Sequence, residues 1–318
     1  MKFSATDLGG ILAMMPAFAT ADAGSVDARH TVDVGNLKAA VDRIIGDGID
    51  VIATTGSFGE FHTLLDDEFE TLVRATVEAV GDRIPLFIGC TALNSREAVR
   101  RATVARQAGA AGIMVGIPFY FPSTIDNALR FIGEVAERFA DLAIMLYHNP
   151  ALHNVTLPST ALPALKLHGN VVAMKDGNRE PRDFLALTRG EMADLRIFVT
   201  AWQWAAYAPL GAAGFWSYDC WMGPAPLLRL RDVVRKSDMD AAAEITLELY
   251  PPLPQPPSLQ WRETLAKIAI RHAGYCDPGP LRPPFVEIPP EVDRAARARA
   301  ERWLAAVERY RPATASVE

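Results

Sequence analysis

Val171-Val172-Ala173-Met174-Lys175 is a run of four apolar residues ended by a lysine. A short apolar run that opens on two valines and is followed by Asp176-Gly177 reads as a fully buried strand. Strands of this kind belong to parallel sheets covered on both faces. Working outward, the same unit recurs in both directions. Short apolar runs lie at 11–18, 50–55, 85–90, 112–117, 143–147, 171–175, 196–200 and 214–218. Helical periodicity follows each of them. The helices are expected at 33–45, 66–80, from 94 with Ser95 as its cap, 126–139, 160–167, 182–188, 204–210 and 225–236. Eight strand–helix units of roughly 30 residues each predict a (β/α)8 barrel. An open doubly wound sheet would carry a glycine-rich nucleotide loop after its first strand. Here that place reads Pro16-Ala17-Phe18-Ala19.

Beyond Ser237 the strand pattern stops. Helices are expected at 240–249, 258–273 and 291–310, separated by proline-rich stretches at 251–257 and 278–290. The expected organisation is a barrel over 1–238 and a helical extension packed on it over 239–318. Half of the residues are hydrophobic and 22% are charged, so the chain can bury a large core and is neither disordered nor collagen-like. The net charge of −6 argues against nucleic acid or an anionic membrane as the partner. Cys90, Cys220 and Cys276 form no disulfide framework or paired metal motif, which points to a cytoplasmic protein. Residues 9–19 loosely mimic a leader peptide, but Asp7 falls in what should be its basic region and Pro16 breaks its apolar run, so a first barrel strand is expected. No apolar run reaches the length of a membrane span.

Function in such a barrel sits at the C-terminal ends of the strands. Lys175 ends the sixth strand, where burial would lower its pKa and free the amine to attack a ketone. A lysine snorkelling from the strand end to solvent is the other reading. The fifth strand ends in Tyr147-His148-Asn149-Pro150. Neighbouring strands lie roughly 5 Å apart, so the Tyr147 hydroxyl could reach the Lys175 amine and shuttle protons. A rim tyrosine with its hydroxyl in water is the alternative. After the second strand, Thr54-Thr55-Gly56-Ser57-Phe58-Gly59-Glu60 suits a tight turn whose backbone N–H groups could hold a carboxylate. Trp202, Trp216 and Tyr218 lie near strand ends and could line a flat pocket, whereas Trp204 and Trp221 read as packing. His148 and His153 have no carboxylate at ligand spacing, so no metal site is expected.

These blocks, with Pro118-Phe119-Tyr120, resemble the Schiff-base aldolases typified by dihydrodipicolinate synthase and N-acetylneuraminate lyase. Gly56-Ser57-Phe58-Gly59-Glu60, Phe215-Trp216-Ser217, Met222-Gly223-Pro224 and Gly279-Pro280-Leu281-Arg282-Pro283-Pro284-Phe285 resemble in particular the hydratase-aldolases that cleave benzylidenepyruvates. The resemblance implies Lys175 as the Schiff-base lysine, Tyr147 as proton shuttle, and Gly56, Ser57 and the Phe58 backbone as the cradle of a pyruvyl carboxylate. It implies a relay role for Tyr120 across a subunit interface of a homo-oligomer, a tetramer in the family. Asn149 would brace Tyr147 and Glu60 the carboxylate loop. Trp202 and Trp216 would border an aryl group. The covalent imine on Lys175 would replace any cofactor or metal, and the partners would be pyruvate and an aromatic aldehyde.

The departures carry information. Dihydrodipicolinate synthases have an arginine shortly after the strand-five tyrosine, but here the stretch reads Ala151-Leu152-His153-Asn154-Val155. Phe58 replaces the usual second hydroxyl of the loop. Arg262 aligns with an asparagine that the hydratase-aldolases use to place water or the aryl group. A desolvated Arg262 gripping an anionic ring substituent would contribute about 2–4 kcal/mol; paired with Glu263 on a helix surface it would contribute little. A sugar-acid lyase or dehydratase on the same lysine, and a non-catalytic pyruvate-binding barrel, remain the alternative functions.

Overall fold

The computed structural model describes residues 2–177, 179–252 and 259–311, with side chains from 261 onward in the last stretch. The proline-rich 251–257 stretch and the start of the helix after it lie partly outside the described residues.

Among the described residues eight strands close into one parallel barrel, each paired with the next in sequence and β8 with β1. They are β1 (Gly10–Met14), β2 (Val51–Ala53), β3 (Leu86–Gly89), β4 (Gly112–Gly116), β5 (Ala143–Tyr147), β6 (Val171–Lys175), β7 (Arg196–Thr200) and β8 (Gly214–Ser217). The α-helices in chain order are α1 (Val34–Gly46), α2 (Asp66–Val80), α3 (Ser95–Gln107), α4 (Ile125–Arg138), α5 (Pro150–His153), α6 (Pro181–Thr188), α7 (Trp204–Tyr207) and α8 (Ala225–Arg235). Then come α9 (Met239–Leu249), α10 (Leu259–Ala273) and α11 (Pro290–Tyr310). No described helix is long and apolar enough to cross a membrane.

The strands are buried along nearly their whole length, as runs without polar alternation require. Helices α1 to α4 each turn a stripe of apolar residues inward, for example Leu37, Ala40, Val41 and Ile44 on α1. Parallel neighbours bring all strand C-termini to one rim, so Tyr147 and Lys175 stand directly opposite each other in the β5–β6 ladder.

Three local expectations need correction. The first strand ends at Met14 and does not run to Phe18. Pro16 has no N–H for a ladder, and the carbonyls of Ala17 and Phe18 instead accept from the Arg282 guanidinium. The cap of α3 is Asn94, whose side chain accepts from the Glu97 N–H at 3.0 Å; Ser95 is already the first helical residue. The helix expected at 160–167 is a single 3-10 turn, Leu162–Leu165; Pro163 fits only a first turn, so the element cannot start as early as 160.

Candidate active site

Lys175 is 5% exposed, and its amine sits between two rings. Nζ lies 3.6 Å from the centre of the Trp216 ring and 4.4 Å from that of Tyr147. Trp216 is held in place by donating its indole N–H to the Asp176 carbonyl at 3.3 Å. Burial pulls the Lys175 pKa down to about 7, with Glu263 and Asp176 opposing and Arg262 assisting the shift. A substantial neutral fraction exists near pH 7, so the amine is a competent nucleophile toward a carbonyl.

The Tyr147 hydroxyl lies 2.9 Å from Ser57 Oγ and accepts from Asn149 Nδ2 at 3.1 Å. Burial, and then the nearby Glu263, push its pKa up to about 12. It is therefore a neutral phenol at pH 7, able to relay a proton along the hydroxyl chain to Ser57.

The loop after β2 is held in an unusual backbone. Thr55 and Glu60 have positive φ, 44° and 51°, although neither is glycine. A Cβ on Gly59 would stand 2.6 Å from the Thr55 nitrogen, so this turn closes only with glycine there. Phe58 stacks on Tyr218 with ring centres 4.8 Å apart.

A buried ion cluster fixes the end of this loop. Glu60 accepts from Lys267 of α10 and from Arg282 Nη1, the latter at 3.2 Å. Arg282 also donates to the carbonyls of Ala17, Phe18 and Thr31. Lys267 donates to the Pro280 carbonyl at 2.9 Å. The cluster thus joins β1's exit, the Ser57 loop, α10 and the tail.

A cavity of about 170 Å³ contains the Lys175 amine; Tyr147, Asn149, Ser57, Trp202, Trp216 and Arg262 border it. Sequence-expected residues from six separate stretches of chain therefore meet at one place. Trp202 is 46% exposed at the mouth, edge-on to Trp216. Arg262 is exposed where it borders the cavity and makes no ion pair with Glu263. Tyr120 does not join them: it is 72% exposed, packed on exposed Phe121.

Glu263 is the site residue the sequence reading passed over except as a surface partner for Arg262. It borders this cavity and a second, apolar one of about 420 Å³ walled by Phe58, Phe61, Phe119 and Phe285. The carboxylate missing beside His148 is Asp176, whose Oδ2 lies 3.2 Å from His148 Nδ1. His148 Nε2 accepts from the Leu157 N–H at 3.1 Å. No group of three metal-ligating side chains exists among the described residues.

Residues 14–302 match the family model described as the dihydrodipicolinate synthetase family, which spans nearly the entire barrel and most of the following helices. The chain belongs to the dihydrodipicolinate synthetase family. Within it, the chain is 29% identical to the trans-O-hydroxybenzylidenepyruvate hydratase-aldolase of Pseudomonas aeruginosa, covering 97% of this chain and 96% of that one. It is 26% identical to the trans-2'-carboxybenzalpyruvate hydratase-aldolase of Nocardioides sp. (strain KP7), covering 96% of each. A solved structure described as PhdJ bound to substrate intermediate superposes with a TM-score of 0.91 at 30% identity, covering 98% of this chain and 99% of that one. Like other members of the dihydrodipicolinate synthetase family, the protein is an enzyme of the aldolase and lyase type.

Proposed function

We propose that this enzyme is a hydratase-aldolase that cleaves an aryl-substituted benzylidenepyruvate to an aromatic aldehyde and pyruvate through an imine on Lys175. The observation that carries this reading is the Lys175 amine, buried between Trp216 and Tyr147 with its pKa near 7. The two named hydratase-aldolases, matched along nearly their full length, support the substrate class.

Lys175 condenses with the substrate ketone and water leaves. The protonated imine withdraws electrons through the conjugated alkene, and water adds at the carbon beside the ring. The resulting enamine is protonated to restore the imine. Tyr147 then takes up the proton of the new hydroxyl as it gives its own to the Ser57 relay, the carbon–carbon bond breaks, and the aldehyde departs. The remaining enamine is protonated and hydrolysed to pyruvate. The cationic imine is the electron sink, so the cycle requires no further cofactor. Ser57 and the backbone of Gly56 and Phe58 hold the pyruvyl carboxylate, and Trp202 and Trp216 flank the aryl end.

Tyr120, exposed on its own chain, takes part in the relay only if a second copy of the chain presents it. On this reading the role belongs to a subunit contact of a homo-oligomer, with which the exposure of Tyr120 on its own chain is consistent. The three cysteines are unpaired, which supports a cytoplasmic location.

We assign to Arg262, which borders the cavity, the recognition of an anionic or strongly polar ring substituent. Because it is exposed, its contribution is smaller than for a desolvated site, about 1–2 kcal/mol, or roughly tenfold. The test is kcat/KM of wild type and Arg262→Ala on benzylidenepyruvates with ortho-carboxylate, ortho-hydroxyl and unsubstituted rings. Wild type should release equimolar aldehyde and pyruvate, and the variant should lose about tenfold on the carboxylate substrate alone. Equal loss on all three would remove Arg262 as a reader of the ring; no aldehyde from any would remove the reaction assigned here.

A further inference from the structure

The hydration half of this reaction needs an acceptor for a proton of the attacking water. The groups around the Lys175 cavity are mostly committed elsewhere. The lysine amine is consumed by the imine. The Tyr147 hydroxyl is tied to Ser57 and Asn149 and stays a neutral phenol, so it relays protons without taking one up. His148 has Nε2 filled by the Leu157 N–H and Nδ1 turned to Asp176. His153 packs edge-on against Tyr147, and burial holds its pKa down at about 3.

Glu263 is different. It lies on α10 in the wall shared by the Lys175 cavity and the apolar chamber. Its carboxyl makes no hydrogen bond or ion pair among the described residues, although Arg262 is its neighbour in sequence. Its lone pairs are therefore available to a bound molecule. Burial lifts its pKa to about 7 against the pull of Lys175 and Arg262, so both protonation states are populated at neutral pH.

We propose that the Glu263 carboxylate is a further catalytic group, the base that takes a proton from the water adding to the conjugated bond. This deepens, and rests on, the hydratase-aldolase reading. As the water oxygen bonds to the carbon beside the ring, one water proton passes to Glu263. The alkene electrons move to the imine nitrogen and leave an enamine. The protonated Glu263 then returns that proton to the enamine carbon, which restores both the cationic imine and the carboxylate. The balance is one water added across the double bond, with no oxidant or reductant.

The test uses wild type and Glu263→Gln, which keeps the side-chain shape. Turnover of unsubstituted benzylidenepyruvate is measured beside the rate of borohydride trapping of the imine with pyruvate alone. The expected result is a loss of turnover of about 10²-fold or more with trapping as fast as in wild type or faster. Removal of the carboxylate favours the neutral Lys175 amine, so slower trapping is not expected. Unchanged turnover overturns the proposal, as does equal loss of turnover and trapping, which would show that Glu263 acts only through Lys175. An inactive wild type would instead remove the hydratase-aldolase reading, and the proposal with it.

Discussion

At the scale of the residue, a strand-end position sets the chemistry. Lys175 and Tyr147 are partners in the β5–β6 ladder, so one register places amine and phenol on the same rim. Their burial then moves both pKa values, the amine down and the phenol up. Tyr147→Phe removes only the hydroxyl. It should leave pyruvate imine formation intact and slow turnover by about 10²–10⁴, the usual share of an acid–base group; stopped-flow assay of aldehyde release checks this, and an unchanged kcat would make Tyr147 structural. Both residues were legible in sequence because each ends an apolar run, where a polar side chain stands out. Glu263 was not, because on a helix beside Arg262 it reads as part of a solvated face. Only tertiary packing shows that this face of α10 borders the cavity. Lys267 was equally hidden: its partner Glu60 lies 207 positions away in the chain.

At the scale of the element, the Ser57 loop is the piece whose shape costs most. Its two non-glycine positive φ values and the Gly59 close approach need outside support. Glu60 supplies it through Lys267 and Arg282, two buried cations sharing one carboxylate. Glu60→Gln would leave both cations without their shared counter-charge. Breaking a buried cluster of this kind costs about 3–5 kcal/mol. A denaturant titration should therefore show a marked loss of stability, with weakened pyruvate binding at temperatures where the variant stays folded. Wild-type stability would mean that the cluster is already hydrated and does not brace the loop. The helices themselves were legible where apolar periodicity is strong, as for α2, which spans Asp66–Val80 as expected. They were least legible where proline intervenes, as at Pro163, or where a neighbouring residue takes the cap, as Asn94 does from Ser95.

At the scale of the molecule, repetition is what made the barrel readable. Eight apolar runs at similar spacing leave few other ways to bury so many strands on both faces. The tail carries no such period, and its position over the site rests on long-range contacts. Arg282 illustrates this: it is 2% exposed and reaches carbonyls more than 250 positions away in the chain. Barrel and tail together make the pocket in which the buried Lys175 can lose its proton near neutrality. The measurement that tests this most directly is borohydride reduction in the presence of pyruvate, followed by peptide mapping across a pH series. The predicted result is a single adduct on Lys175, with a trapping rate that rises with pH through a midpoint near 7 as the amine becomes neutral. An adduct on Lys267, or no adduct in protein that still turns over substrate, would contradict it.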